Sequence, residues 1–331
     1  MSLIRKINAK SKTEINTGFG ANSADYGGRF INKSGQANIE KRGIPFLERI
    51  SWYHTMLQMG TWKFLFIIIG FFITVNLLFA GVYYFNGVEN LNGMVMGSEW
   101  KKFGEAFFFS TQTFTTVGYG RVSPSGFGTS AIAAFEALLG LLTFSLATGL
   151  FYGRFSKPKA YLKFSHNAII APYKEITALM LRIAPFKNAT LTDAEAKLTL
   201  GMSVEDNGKT VNKFFPLELE YEKVNALNLS WTIVHPITES SPLYRFAAED
   251  FANTRGEIII FLKAFDDMFS NMVVTRSSYT FKEVVTGARF IPMYHRNETG
   301  DKTILDLEKL NHFVEADISF AFADTNQALS S

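Results

Sequence analysis

The chain has 331 residues, 47% hydrophobic and 19% charged, with 33 Lys and Arg against 30 Asp and Glu, five His and no Cys. That length suits about two domains; the lack of Cys excludes a disulfide scaffold and any thiolate metal site. A formal charge of +3 is too small to mark a nucleic-acid surface, so no nucleic-acid partner is expected.

Residues 1–43 are rich in Gly, Asn, Ser and Lys and are expected to be a flexible cytoplasmic N-terminus. No short apolar run follows Met1, so no secretory leader is expected. Cations from Arg5 to Arg49 hold this segment on the cytoplasmic side by the positive-inside rule. Next, 44–60 opens with IPFLERISWYHTMLQ. Pro45 suits a first helical turn, and Phe46, Leu47, Ile50, Tyr53 and Leu57 fall near one face, with Glu48 and Arg49 off it. Just before a span, this pattern predicts an interfacial helix rather than one packed on a soluble domain.

Residues 61–156 read as a membrane domain. FLFIIIGFFITVNLLFAGVYYF (64–85) carries no charge, and FGTSAIAAFEALLGLLTFSLATGLFYG (127–153) carries one, Glu136. At about 1.5 Å per residue each crosses a hydrocarbon core of about 30 Å. The expected outer helix is 62–86 and the inner helix 127–154, with Trp62 and Lys63 at the water–lipid boundary. Between them FGEAFFFSTQTF (103–114) is apolar but too short to cross, and predicts a re-entrant helix. After Lys157-Pro158-Lys159 the period changes to two. KLTLGMSV (197–204), LELEY (217–221), EIIIFLKAF (257–265) and NMVVTRSSYTF (271–281) read as strands, with Asp206-Asn207-Gly208 as a hairpin turn. The expectation is an all-β cytoplasmic sandwich over 157–325, with no GxGxxG and no P-loop.

The stretch 115–120, TTVGYG, follows the re-entrant helix. Irregular backbone at membrane depth survives only when buried in protein or lining an aqueous path. If Thr116, Val117, Gly118 and Tyr119 are nearly extended toward an axis, four copies stack rings of carbonyl oxygens that replace the water around K+. Gly118 and Gly120 supply the backbone angles that a Cβ resists. The pentapeptide TVGYG matches the known filter sequence of potassium channels. One loop per chain requires a homotetramer.

At this point the chain resembles the inward-rectifier potassium channels, in their bacterial branch. The resemblance rests on TTVGYG (115–120), RFSKPKAYLKFSHNAII (154–170), WTIVHPITESSPLY (231–244) and SSYTFKEVVTGARF (277–290). It implies an interfacial slide helix, a two-span potassium-channel pore domain, and a C-terminal all-β immunoglobulin-like sandwich that regulates it. It implies a multi-pass protein of the plasma (inner) membrane with both termini cytoplasmic.

Phe144, Thr148 and Tyr152 are spaced by four and share a face of the inner helix. The resemblance implies that they line the pore and that Tyr152 closes it at a bundle crossing. Gly140 and Gly149 allow a bend there, or close packing. Phe144 stands where strongly rectifying relatives carry an acid that holds Mg2+ or polyamine, and Gln112 where many carry a Glu that pairs with an Arg beyond the filter. Mg2+ or polyamine therefore enters only as a blocker; K+ is the permeant ion, and no cofactor is expected. Asp193 aligns with a pore-lining acid, and Asp266 and Asp267 fall on an apical loop that narrows the cytoplasmic pore in relatives; Lys263 replaces an acid there. Lys63, Arg154, Lys157, Lys159 and Lys163 form a basic cluster at the membrane surface, suited to anionic lipid or phosphoinositide headgroups. The five His (54, 166, 235, 295, 312) show no metal spacing. Two other readings are a weakly selective cation channel and a membrane-anchored β-sandwich binding protein with a vestigial pore. No nucleophile–base pair suggests an enzyme.

Overall fold

The long apolar runs become helices and the alternating runs become strands. A computed structural model describes residues 8, 10–13, 29–43, 45, 51–187, 190–206 and 209–318. They fall into two compact units, Arg42–Lys157 and Met1–Lys41 with Pro158–Ser331.

The first unit holds α1 (Trp52–Gln58), α2 (Thr61–Asn86), α3 (Glu99–Phe114) and α4 (Phe127–Phe155). Residues 44 and 46–50 of the expected interfacial helix lie outside the described residues; α1 is capped by Ser51, whose side chain accepts the His54 N–H. By length and composition, α2 and α4 are the two described helices able to cross a membrane. The re-entrant helix α3 starts at Glu99, four residues before the expected 103. Apolar character marks only its later part. The charged first turn is helical because Glu99 sits at the positive end of the helix dipole and pairs with Lys102 at 2.9 Å. Ala80, Tyr83, Ala106, Phe109 and Ala133 pack where the three helices meet. Small side chains at such contacts let helices approach closely, which is what holds them together in lipid. Outside the helices, β1 (Leu91–Asn92) pairs with β2 (Ser123–Pro124) and ties the loop after α2 to the segment after the TVGYG stretch.

The second unit is an all-β sandwich of two five-stranded sheets. One has β6 (Leu191–Asp206) flanked by β7 (Lys209–Leu217) and β10 (Gly256–Asp266), with β11 (Asn271–Thr280) outside β10 and β8 (Lys223–Ala226) also on β6. The other has β5 (Ile176–Pro185) beside β3 (Leu162–Phe164), β4 (Ala168–Tyr173) and β9 (Trp231–Pro236), with β12 (Val284–Thr286) parallel to β4. Alternation along β6 buries Ala196, Leu198, Leu200, Met202 and Val204 against Leu179, Leu181, Ile183 and Ile233 of the facing sheet. Each such large side chain contributes about 1.5–3 kcal/mol when fully buried. A bulge sets two residues, Asp193 and Ala194, against Ala264; Asp193 has φ +48°. The extra residue resets the alternation, so Leu191 and Ala194 both face the core.

The flexible N-terminus expected over 1–43 is corrected for residues 29–38. Phe30 and Ile31 are buried with Phe214 and Ile259, and Ile31 bridges Ala37. The buried Glu257 carboxylate accepts the N–H of both Phe30 and Ile31. Arg29 and Lys33 pair with Glu283 at 3.2 and 3.1 Å. Two buried apolar residues in a polar stretch are too few to produce a periodic signal, so composition alone reads as disorder.

Candidate functional site

The last turn of α3 organises the TVGYG loop. The Thr116 N–H bonds to the Thr113 carbonyl at 3.0 Å, and the Gln112 carbonyl accepts both Val117 N–H at 2.9 Å and Gly118 N–H at 3.3 Å. Positive φ recurs at alternate residues: +58° at Thr116, +52° at Gly118 and +80° at Gly120, with Val117 and Tyr119 between them on the negative side. A backbone that changes hand at every residue turns successive carbonyls back toward one side. Gly accepts positive φ freely; a β-branched Thr does not, and such conformations cost about 1–3 kcal/mol. Among the described residues, none donates a hydrogen bond to the carbonyl oxygens of Thr116 to Gly120. The loop thus commits N–H groups to the helix and leaves a run of oxygens without donors. Such a surface attracts cations and repels anions. Val117 is 53% and Tyr119 80% exposed in the single chain, so the Tyr119 ring packs little against its own chain.

The frame behind the loop is close-packed. Gly140 of α4 lies so near the end of α3 that a Cβ there would stand 1.9 Å from the Phe114 carbonyl oxygen. Gly140, grouped with the pore-lining residues and read as allowing either a bend or close packing, is a buried contact on α3; the close approach corrects the pore-lining placement and favours the packing alternative. Beside it, Glu136 is fully buried. The Tyr83 hydroxyl donates to Glu136 at 2.6 Å, the Ser110 hydroxyl meets its other oxygen, and Asn76 stands 3.0 Å from Ser110. In the sequence Glu136 is visible only as the lone charge in a span. That rarity is the available signal, because an ionisable residue inside a span is rarely idle. In front, Glu105 of α3 pairs with Arg121 at 2.6 Å, and Arg121 reaches the Gly93 carbonyl at 3.3 Å. Arg121, just beyond the TVGYG stretch, is thus tied back to α3 through Glu105, seven residues before Gln112.

On α4, Phe144, Thr148 and Tyr152 differ little in setting: Phe144 and Tyr152 are largely exposed in the single chain, and the Thr148 hydroxyl bonds back to the Phe144 carbonyl at 2.8 Å. Phe144 borders an apolar groove of about 520 Å3 that also takes in Phe72, Phe114, Thr116 and Gly140.

The acids of the sandwich separate. Asp266 is 1% exposed and accepts the N–H of Met268 at 3.0 Å and of Phe269 at 3.4 Å. It is a turn-holding residue and not a vestibule acid, which corrects the expectation. Asp267 is exposed and accepts the Thr192 hydroxyl at 3.1 Å. Asp193 pairs with Lys223 at 3.0 Å, with both side chains largely open to solvent.

The basic residues also separate. Arg154 turns inward: its guanidinium donates to the Met56 and Met59 carbonyls at 2.6 and 2.9 Å and lies 4.5 Å over the Phe64 ring. Those carbonyls end α1, where a cation is favoured, so Arg154 is a helix-capping residue and leaves the expected lipid set. Lys63 and Lys157 are exposed in the same unit, and Lys159 and Lys163 belong to the other. His235 is buried, its Nδ1 bonded to the Glu218 carbonyl at 2.6 Å and its Nε2 to Ser241 Oγ at 2.8 Å. Burial holds its pKa below the ordinary value. Among the described residues no group of three His, Asp or Glu is placed to hold a metal ion.

The family model for the inward rectifier potassium channel C-terminal domain matches residues 162–329, and that for ion channels matches 61–157. The chain is 31% identical over 294 residues to inward rectifier potassium channel Kirbac3.1 of Paramagnetospirillum magnetotacticum, spanning 87% of this chain and 96% of that one. It is 27% identical over 300 residues to G protein-activated inward rectifier potassium channel 4 of Bos taurus, spanning 80% and 68%. A solved sporulation control protein of Bacillus subtilis has a TM-score of 0.22 at 8% identity over 41% of this chain and 58% of that one, too low to bear on the fold.

Proposed function

The chain belongs to the inward rectifier potassium channel family, and on that premise we propose that four copies surround one axis and pass K+ through stacked carbonyl rings of Thr116, Val117, Gly118, Tyr119 and Gly120. The observation that carries this reading is the run of donor-free oxygens with alternating φ at the end of α3. Oxygens left unpaired at membrane depth need partners. A dehydrated K+ held between rings is such a partner, bound weakly enough at several sites to move on. The α3 C-terminus adds the negative end of its dipole on the inner side.

The single chain leaves much apolar surface bare, including the groove beside Phe144. In the proposed assembly lipid covers the outward faces of the spans and copies of the chain cover the rest. Tyr152, near the cytoplasmic end of α4, narrows the path, and a ring of four such side chains closes it by dewetting. Phe144 in place of an acid leaves Mg2+ or polyamine without an anchor on that face, so block from inside is weak. Asp193 and Asp267 line the cytoplasmic continuation. Lys63, Lys157, Lys159 and Lys163 take anionic lipid or phosphoinositide headgroups, each worth about 1 kcal/mol near such a surface. Both termini are cytoplasmic at the inner membrane, and the sandwich transmits regulation to the gate.

Purified protein in liposomes tests the reading. We expect a mass near four times 37.1 kDa, Ba2+-sensitive Rb+ and K+ uptake with Na+ excluded, and loss of that preference in Gly118→Ala. Equal Na+ and K+ uptake would mean a weakly selective pore and overturn the filter reading. No uptake of any cation would favour a membrane-anchored binding protein.

A further inference from the structure

Around Glu136 the hydrogens can be counted. Asn76 Nδ2 stands 2.8 Å from the Phe72 carbonyl. A carbonyl only accepts, so this contact fixes which way the amide faces and leaves Asn76 Oδ1 toward Ser110 at 3.0 Å. That oxygen carries no hydrogen, so Ser110 must donate its single one to it. The Ser110 oxygen is then an acceptor toward Glu136, and the hydrogen between them has to come from the carboxyl group. Tyr83 donates to the second carboxyl oxygen at 2.6 Å.

We propose that Glu136 is held as a neutral carboxylic acid whose proton, donated to Ser110, positions the pore helix against both spans. The contacts form one directed chain: Tyr83 to Glu136, Glu136 to Ser110, Ser110 to Asn76, Asn76 to the Phe72 carbonyl. Each hydroxyl and the carboxyl proton in it find one acceptor, and Asn76 places one amide hydrogen on the Phe72 carbonyl. An ionised carboxylate breaks the count, because Ser110 would face two acceptors with one hydrogen. Glu136, Ser110 and Asn76 are all fully buried, so water does not repair the mismatch. Among the described residues no cation pairs with Glu136 either. Ser110 lies in the last turns of α3, two residues before Gln112, whose carbonyl holds the Val117 and Gly118 N–H groups. Glu136 therefore acts on the filter through the helix that carries it, as a positioning residue.

Infrared difference spectra of the full chain in liposomes, wild type against Glu136→Gln, read the proton directly. The expected result is loss of a protonated-carboxyl C=O band in E136Q with the carboxylate bands unchanged. Loss of a carboxylate band instead would overturn the assignment. The amide of Gln supplies the same donor to Ser110 and the same acceptor to Tyr83, so E136Q is expected to keep wild-type K+ uptake and exclusion of Na+. Glu136→Ala is expected to lose one or both. Damage in E136Q equal to that in E136A would overturn the positioning role. This second arm rests on the filter reading; failure of the wild type to select K+ would sink that reading, while the infrared arm would still decide the proton.

Discussion

Asp266 and Asp267 are adjacent and chemically identical, yet only one faces water. The Asp266 carboxylate closes the β10–β11 turn by accepting two N–H groups, so it acts on folding. Asp266→Ala is expected to lower stability by about 1–2 kcal/mol, read by thermal unfolding, with ion preference unchanged. A shift in K+ against Na+ uptake without a stability loss would restore it to the ion path. The difference between the two acids depends on which one the turn points inward, and residue identity does not encode that. Arg154 behaves alike: it belongs to a basic run that composition assigns to lipid, and the run's sequence does not show that the end of α1 offers it two carbonyls. Gly118 is the opposite case. Within its own chain nothing lies within 4 Å of the Cβ it lacks, so what the chain itself requires there is the positive φ, and the motif alone is enough to signal that need.

At the scale of elements, the contact of α3 on α4 is the sharpest. Gly140→Ala places a methyl group against the Phe114 carbonyl, and neither backbone can yield without moving the other. Overpacking of this kind costs about 1–3 kcal/mol. The expected outcome is loss of selective Rb+ uptake with the sandwich still folded, checked by flux beside circular dichroism of the β signal; wild-type flux would show that the helices separate easily. The N-terminal strap over residues 29–38 makes a second prediction. Burial opposes charge on Glu283, but the Thr280 N–H, Lys33 and Arg29 together keep its carboxyl below the ordinary value. A carboxyl lowered by folding stabilises above its unfolded pKa of about 4.3 and loses that contribution as pH falls through the lower folded value. Acidification below about pH 4 is therefore expected to free the strap, and Glu283→Gln to loosen it at neutral pH. Limited proteolysis between residues 29 and 38 is the measurement; equal cleavage of E283Q and wild type would remove Glu283 from the clasp.

Over the whole molecule, what is legible in the sequence follows from long-range repetition. Apolar runs of more than twenty residues with one charge or none, and strands of period two, announce themselves, and so two spans and a β-sandwich are readable. Single contacts are not. The bulge at Asp193, the strap under Glu257 and the hydrogen-bond chain through Glu136 each join residues far apart in sequence, and no local pattern records such meetings. The candidate site is readable where chemistry is local, in TVGYG, and unreadable where it depends on what stands behind that loop. The Phe114 carbonyl rests on Gly140, between Tyr152 on the inner helix and the oxygens of Thr116 to Gly120 at the end of the pore helix. In the proposed assembly, a swing of the lower half of the inner helix would thus pivot on the footing of the upper passage. The two proposed constrictions would then share a fulcrum, and a channel so built would feel at its outer door whatever force opens its inner one.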